Sequence, residues 1–374
     1  MDKRHKLYDV IVVGGGPTGI GVGVALQDAG IEKFAILERE TIGASFDAWP
    51  KETRFITPSF PTNSIGMLDL NAIAIGSSPA VSLGVEHPTG QEYAAYLRAV
   101  AHFFEVPVHQ DIDVTRIVKD DHFLVETADG EIFRTKRVIW AAGEFQYPRL
   151  NGFPGSELCT HTATIPSYGR LLGEEFIIIG GYESGVDAAY HLAQRGKKVR
   201  LFDAGCPWKE ESTDPSISLS TYSLERMRSD IFRKYVKLFP NSPVKEVAQK
   251  RVLHEVTTAD GSRFTTRVPP LLAHGFQGSH GLVAHLFDKR DDGFPLLSET
   301  DESTIVPGIY LCGPTVRHDE QIFCFIYKYR QRFAVVVKAI ASSLGFAAEG
   351  LVETYRANGM YLDDLSCCGD ECVC

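Results

Sequence analysis

The apolar run "DVIVVG" at residues 9–14 is rich in β-branched side chains and predicts a short buried strand. A helix-like stretch, "PTGIGVGVALQDAG" at 17–30, follows it, and a second apolar run, "KFAIL", stops just short of Glu38. The same succession returns farther along. "FIIIGG" at 176–181 predicts another buried strand, "ESGVDAAYHLAQRG" a helix, and "KKVRLFD" a strand ending at Asp203. Two further runs, "RVIWAAG" at 137–143 and "PPLLAHG" at 269–275, read as strands that end in small-residue turns. Each would close one unit and carry the chain across to the other. "GIYLCGP" at 308–314 is one more apolar strand ending in glycine. The pattern after it predicts a long amphipathic helix from Asp319 to Leu344.

Glycines sit where these strands turn into helices. In the first unit they fall at Gly14, Gly16 and Gly19, the spacing of the dinucleotide-binding fingerprint. Gly14 allows the tight turn, Gly16 lets a pyrophosphate approach the backbone, and Gly19 lets helix and strand pack closely. The helix N-terminus holds the anion. Glu38 lies 19 residues past Gly19, where a carboxylate accepts from ribose hydroxyls. The second unit repeats the pattern with Gly180, Gly181 and Gly185, and with Asp203 18 residues past Gly185. Its middle glycine position holds Tyr182, whose ring crowds a pyrophosphate unless it swings outward. Asp203 suits a free ribose 2′-hydroxyl and repels a 2′-phosphate, which favours NADH over NADPH. A nucleotide fold that has lost its second ligand is the alternative reading of Tyr182.

The chain has 374 residues, a length suited to two domains, and its 44% apolar and 23% charged content is that of an ordinary globular protein. A net charge of −10 argues against a nucleic-acid partner. No run of about 18 apolar residues marks a membrane span. Glycines and a proline break the one stretch that resembles a signal peptide, so the cytoplasm is the expected compartment. Thiols stay reduced there, so the eight cysteines are not expected to form a disulfide framework.

With these landmarks the chain resembles the two-dinucleotide-domain flavoproteins of the pyridine-nucleotide disulfide oxidoreductase superfamily. Within it, the chain is most similar to CzcO-like flavin-containing monooxygenases and to bacillithiol-disulfide-reductase-like proteins. The resemblance spans nearly the whole chain and rests on "VVGGGPTGIG", "TIGASFDAWP", "HPTGQEYAAYLRAVA", "VIWAAG", "IIIGGYESGVDAA" and "IYLCGP…YKYRQRFA". It implies an α/β fold of two Rossmann-like, three-layer ββα dinucleotide-binding domains, of the thioredoxin-reductase and flavin-monooxygenase kind. The FAD-binding domain would comprise residues 1–160 and 285–365, interrupted by an NAD(P)-binding domain at 161–284 and followed by a cysteine-rich tail at 366–374. FAD and NAD(P)H are the implied cofactors and a homodimer the implied assembly. The cofactor-binding residues expected from the fingerprints and this layout are Gly14, Gly16, Pro17, Thr18, Gly19, Glu38, Arg39, Trp49, Ala142, Gly143, Gly180, Gly181, Ser184, Gly185, Asp203, Gly275, Gly313 and Asp319.

Some positions depart from the pattern. Pro314 follows Gly313 where the superfamily carries an Asp for the ribityl chain, and no CxxC lies in the nicotinamide domain. The monooxygenase motif survives only as Phe153, Gly155 and His161–Thr162 in "GFPGSELCTHTATIP". Thr18 stands where bacillithiol-reductase-like relatives carry a cysteine, which removes that route.

By this layout the helix starting near Asp319 points its N-terminus at the flavin pyrimidine, where its dipole stabilises the reduced anion. Asp319 would be its N-cap. His318, just before it, is the candidate proton donor, against the structural role open to any of the twelve histidines. Trp49, Arg54, Phe55 and Phe60 lie in a loop-like stretch and would wall a substrate pocket or cover the flavin ring. Cys312 reads as inert core, and Cys324 as one turn into the last helix, either core or near the flavin. The tail, "SCCGDECVC", carries Cys367, Cys368, Cys372 and Cys374. It reads as a redox relay, a soft-metal clip or an unstructured end. Neighbouring acids raise its thiol pKa values, so an active tail needs a positive partner elsewhere. Three functions follow. The first is an FAD enzyme passing NAD(P)H electrons to a disulfide or thiol-linked substrate through the tail. The second is a flavin monooxygenase acting on a small nucleophile, and the third a metal- or redox-sensing flavin protein with little turnover.

Overall fold

Four residue pairs show how the fold begins: Val10, Ile11, Val12 and Val13 lie in parallel register with Phe34, Ala35, Ile36 and Leu37. The computed structural model describes residues 6–61, 68–212, 214 and 216–365. Along the chain, β1 (Leu7–Val13), α1 (Pro17–Asp28) and β2 (Phe34–Leu37) are followed by short helices α2 (Ala44–Asp47) and α3 (Pro79–Leu83). Next come α4 (Gly90–Phe103), β3 (Val108–His109), and a meander of β4 (Val114–Lys119), β5 (Phe123–Thr127) and β6 (Ile132–Trp140). The second unit holds β7 (Thr160–His161), β8 (Glu175–Ile179), α5 (Glu183–Gln194), β9 (Lys198–Phe202), α6 (Thr221–Arg228), α7 (Asp230–Tyr235) and β10 (Val236–Phe239). Its own meander is β11 (Val244–Lys250), β12 (Leu253–Thr258) and β13 (Arg263–Thr266), and β14 (Leu271–Leu272) ends it. The chain returns through the hairpin β15 (Asp288–Lys289) and β16 (Pro295–Leu296), then β17 (Ile309–Leu311), β18 (Arg317–His318) and β19 (Gln321–Ile322). It finishes on helices α8 (Ile326–Tyr329), α9 (Phe333–Leu344) and α10 (Glu349–Ala357).

Two sheets of the same design result. The first runs β3-β2-β1-β6-β5-β4, with β17 also paired to β6. β6 is long enough to serve two layers. Its first residues pair antiparallel with β5, while Val138, Ile139 and Trp140 pair parallel with β17. The second sheet runs β10-β9-β8-β14-β7, with β11-β12-β13 as a separate antiparallel layer. These are the two three-layer ββα units expected from the repeated pattern.

The continuous apolar run of β8 follows from burial on both faces. Ile178 and Leu201 face α5 in one core, whereas Ile177, Ile179 and Phe202 face Val247 and Val256 of the meander in another. The glycines of α1 serve packing too. A β-carbon on Gly21 would come within 2.3 Å of the Phe333 ring, so α1 and α9 lie closer than any side chain there permits.

The last helix departs from expectation. Asp319 has φ 47° and sits in the turn joining β18 to β19, a conformation Asp tolerates better than most residues. It caps no helix. Extended pairing of His318 with Gln321 takes those residues into a hairpin, and the helix begins only at Ile326, with a tighter turn at Arg330–Arg332 before α9. Cys324 therefore lies in a loop. His318 is buried, and its Nε2 is 2.5 Å from Oδ1 of the fully buried Asp301. Arg332 donates to both oxygens of Asp301, at 2.9 and 3.0 Å, and to the carbonyls of Leu362 and Glu299. This network ties the hairpin, the start of α9 and the C-terminal segment together, and it occupies His318 structurally.

Asp301→Ala leaves the buried Arg332 guanidinium without its counter-charge, and is expected to cost about 3–5 kcal/mol in urea denaturation. His318→Ala is expected to cost about 1–3 kcal/mol. A His318 acting only as a proton donor to a cavity would leave the urea midpoint unchanged.

Candidate active site

Two glycines of the first fingerprint, Gly14 and Gly19, are each held by a steric demand. Gly14 has φ 110°, and a β-carbon there would meet the Ala141 carbonyl oxygen at 2.5 Å. A β-carbon on Gly19 would fall 1.8 Å from the Gly14 oxygen. Gly16 is the contrary case, because a β-carbon there would meet nothing within 4 Å. The fold itself leaves space at that point, beside the N-terminus of α1, whose first turn carries no acid. This is a cradle for a diphosphate. Beside it, the Glu38 carboxylate accepts from the Gly15 amide at 2.5 Å and the Glu40 amide at 2.9 Å. The donor set and open cradle fit FAD.

The second fingerprint repeats this construction. β-Carbons on Gly180 and Gly185 would strike the Ala273 and Gly180 oxygens at 2.4 and 1.8 Å. Asp203 accepts from the Gly181 and Gly205 amides at 2.7 and 2.8 Å, as Glu38 does in the first unit. Tyr182 is the N-cap of α5, and its hydroxyl donates to the Ser218 carbonyl at 2.7 Å. That bond holds the ring on the side of the Ser218 segment. Glu183 accepts from the Ser220 amide at 2.6 Å and the Ser223 hydroxyl at 2.5 Å. Burial nevertheless pushes its carboxyl up.

One cavity of about 670 Å³ joins the two units. It starts at Gly14, Gly16, Pro17, Glu38 and Arg39, passes Trp49, Phe55, Ala142 and Gly143, and ends at Ser184 and Asp187 on α5. Thr18, Arg54, Pro314, Cys324 and Tyr329 also line it. Phe60 does not. The remaining expected residues act from outside the wall. Gly19, Gly180, Gly181, Gly185 and Asp203 shape the turns. Gly313, at φ 109°, brings the last strand against Thr18, where a β-carbon would stand 2.9 Å from Oγ1. Gly275 accepts from the Arg149 amide at 2.9 Å and from His161 Nε2 at 3.2 Å. Asp319 and His318 line a separate cavity of about 490 Å³ with Arg290 and Arg317.

His161 also accepts from the Ala163 amide through Nδ1, at 3.2 Å. Its proton is therefore on Nε2, and burial pulls its pKa down. The ring pins a crossover between the units. Gly155, from the same degenerate motif, packs on the second meander, where a β-carbon would lie 1.7 Å from the Val247 oxygen.

Residues the sequence did not single out complete the site. Glu52 accepts from Ser167 Oγ and Arg195 Nη2, both at 2.7 Å, and from the Tyr168 and Gly169 amides at 3.1 Å. Thr53 donates to Asp187 at 2.7 Å, and Arg226 donates to the other Asp187 oxygen at 2.5 Å. Burial alone would raise both carboxyls. Ser167 and backbone amides outweigh it at Glu52, and His191, Arg226 and Thr53 outweigh it at Asp187, so both titrate below the ordinary range. Glu144, directly after "VIWAAG", reaches the cavity wall as well. An acid at the end of a crossover strand was its only sequence signal. Asp187 had none beyond being a polar position on an apolar helix.

Four described cysteines are free thiols: Cys159, Cys206, Cys312 and Cys324. Burial pushes Cys159 up to about 12 and Cys312 well above the usual thiol range, so neither is primed to react. Cys367, Cys368, Cys372 and Cys374 lie outside the described residues. The described chain ends at Leu365, whose carbonyl accepts from Gln321 at 2.5 Å. Among the described residues, no helix is long and apolar enough to cross a membrane.

Comparison with known proteins agrees with this geometry. The sequence profile described as pyridine nucleotide-disulphide oxidoreductase matches residues 11–313. CzcO of Bacillus velezensis, an oxidoreductase itself uncharacterized, is 26% identical over 197 residues, covering 50% of this chain and 52% of that protein. The chain thus matches about half the length of this curated relative. Among solved structures, the bacillithiol disulfide reductase Bdr of Staphylococcus aureus superposes with a TM-score of 0.73 at 17% identity, covering 90% of this chain and 99% of the other. A flavin-containing monooxygenase from Stenotrophomonas maltophilia gives 0.69 at 18% identity, covering 91% and 99%. Both share the fold.

Gly16→Val should fold normally, because a β-carbon there meets nothing within 4 Å. It should weaken FAD binding by about 3 kcal/mol, roughly a hundredfold, in a flavin fluorescence titration. The clamp made by Glu52 and Asp187 should respond to acid. Carboxyls held below their unfolded values stabilise the fold above those values, and that stability is lost as pH falls through the folded ones. Urea midpoints should therefore drop from about pH 5 downward, and less steeply in Glu52→Gln.

Proposed function

Because the chain belongs to the pyridine nucleotide-disulphide oxidoreductase family, we propose that it is an FAD-dependent oxidoreductase. On this reading it draws electrons from NADH or NADPH and delivers them to a disulfide or thiol-linked small molecule. The observation that carries the reading is the single cavity reached by both fingerprints, from Gly16 and Glu38 at one end to Ser184 at the other. Bound FAD supplies two-electron hydride chemistry that no side chain offers.

The chain's own residues bind, orient and exclude water. The amides after Gly14 and the start of α1 hold the diphosphate, and Glu38 holds the ribose. Trp49 and Phe55, with ring centroids 5.2 Å apart, wall the cavity with apolar surface. Gly180, Gly181, Gly185 and Ser184 receive the nicotinamide dinucleotide. Asp203 beside its ribose favours NADH, since a 2′-phosphate there meets a second negative charge. The tail thiols Cys367, Cys368, Cys372 and Cys374 act as relay in this reading, and a cytoplasmic homodimer is the working form. The likeness in fold to a disulfide reductase supports the disulfide-directed reading. The likeness to a flavin-containing monooxygenase supports a second one, oxygenation of a small nucleophile in the same cavity.

Anaerobic mixing of the FAD-loaded protein with NADH or NADPH tests this. NADH should bleach the flavin, about tenfold faster than NADPH, and Asp203→Asn should narrow that gap. Disulfide turnover should fall when residues 366–374 are removed. Equimolar consumption of NADH and oxygen, with oxygen appearing in the product, would establish the second reading instead. Failure of both nucleotides to bleach the flavin would overturn the nicotinamide assignment.

A further inference from the structure

The two fingerprints fold alike but are filled differently. Gly16 and Tyr182 are the N-caps of α1 and α5, with φ and ψ of −83° and −169° at the first and −87° and −164° at the second. Gly14 and Gly180 lead into them at φ 110° and 105°. Gly19 and Gly185 then close the two turns with the same 1.8 Å approach to a carbonyl oxygen. The backbone fixes the direction of a Cα–Cβ bond, so the Tyr182 side chain leaves the turn where a side chain at Gly16 would. At Gly16 that direction is open, with nothing within 4 Å of a β-carbon. At Tyr182 it carries a phenol ring, whose hydroxyl donates to the Ser218 carbonyl at 2.7 Å.

The neighbours of the two caps widen the difference. Pro17 opens α1, whose first turn carries no acid, whereas Glu183 opens α5. The Glu183 carboxyl accepts from the Ser220 amide at 2.6 Å, from Ser220 Oγ at 3.2 Å and from Ser223 Oγ at 2.5 Å. The chain's own carboxyl thus stands at a helix start that otherwise draws a diphosphate. Across the turn, a β-carbon on Gly181 would meet the Trp208 ring at 2.6 Å, so the indole lies against the glycine loop. In the first unit the three atoms nearest the equivalent β-carbon, on Gly15, all belong to Glu38.

We propose that the Tyr182 side chain plugs the diphosphate place of the second fingerprint, and that a nicotinamide dinucleotide binds only when the ring turns out and its bond to Ser218 breaks. This rests on the reading of the second unit as the nicotinamide site. A site open for only a fraction of the time binds with an apparent Kd raised by the inverse of that fraction. Tyr182 therefore sets how tightly a dinucleotide is held. The penalty falls equally on NADH and NADPH, because both carry the same diphosphate. Asp203, at the ribose end, tells them apart by their 2′ groups. Affinity and choice of dinucleotide are thus assigned to two different residues of one loop.

ADP-ribose, which carries the diphosphate and no nicotinamide, is titrated calorimetrically into full-length, FAD-loaded protein. With FAD in the first site, it reports on the second. Anaerobic flavin bleaching is followed alongside, over a range of NADH and NADPH concentrations. Tyr182→Gly should bind ADP-ribose tighter than wild type by about tenfold or more. The half-saturating concentrations of NADH and NADPH should fall by that same factor, and the gain should not appear in the limiting rate. Glycine is tolerated at an N-cap, as Gly16 shows in the first unit. Tyr182→Phe keeps the ring and loses only the bond to Ser218, so its gain should be smaller, about threefold. The proposal is overturned if Tyr182→Gly binds ADP-ribose no tighter than wild type, or if its gain differs between NADH and NADPH. Where Tyr182→Gly does not hold FAD, absence of any gain in Tyr182→Phe overturns it. Bleaching by NADH at a half-saturating concentration that Tyr182→Gly leaves unchanged would sink the plug and leave the proposed function standing. Tightened ADP-ribose binding in a protein whose flavin neither dinucleotide bleaches would sink the proposed function and support the plug.

Discussion

The approach of Gly19 to the Gly14 carbonyl, so close that a β-carbon would sit 1.8 Å away, is the constraint on which the first nucleotide site depends. It brings the start of α1 up to the end of β1, so unpaired helix amides meet the turn at the mouth of the sheet. Gly16 is then left facing space and not protein. Gly185 repeats the contact with Gly180 at the same 1.8 Å, and the second site inherits the same geometry. Glu38 and Asp203 complete both turns by accepting a backbone amide of the glycine loop.

The cavity exists because the chain crosses between the units twice. The crossover segments meet each other, with Arg149 donating to the Gly275 carbonyl and Gln277 to the Tyr147 carbonyl, both at 2.9 Å. Glu52 and Thr53 then fasten the first unit to helices and turns of the second. Polar groups at such a boundary are expensive to bury unless paired, and here nearly every oxygen of Glu52 and Asp187 has a donor. Glu144 lines the same cavity, and burial pushes its carboxyl up.

The fingerprints were readable because they are local. Strand, turn and helix follow one another within 31 residues from Tyr8 to Glu38, and Gly14 and Gly19 each answer a clash with backbone. The long helix from Asp319 was misjudged because apolar periodicity does not distinguish a hairpin such as β18–β19 from a first helical turn. His318 went with it. Near the end of "GIYLCGP" it looked placed for the flavin, but Asp301 and Arg332, 17 residues before and 14 after it, claim it in the core. Such a pairing is set by packing and leaves no trace in local spacing.

The sequence by itself determined the two βαβ units, the residues that line each turn and the acids that close them. Those features depend on contacts between residues close along the chain, where spacing dictates geometry. Tertiary structure alone decided that both units open on one cavity, that Asp187 and Thr53 meet at it, and that Cys324 lines it from a loop. Those juxtapositions join residues more than a hundred positions apart, as Thr53 and Asp187 are. They arise only when two domains bury their shared boundary, where each polar group must find a partner or be kept for a ligand.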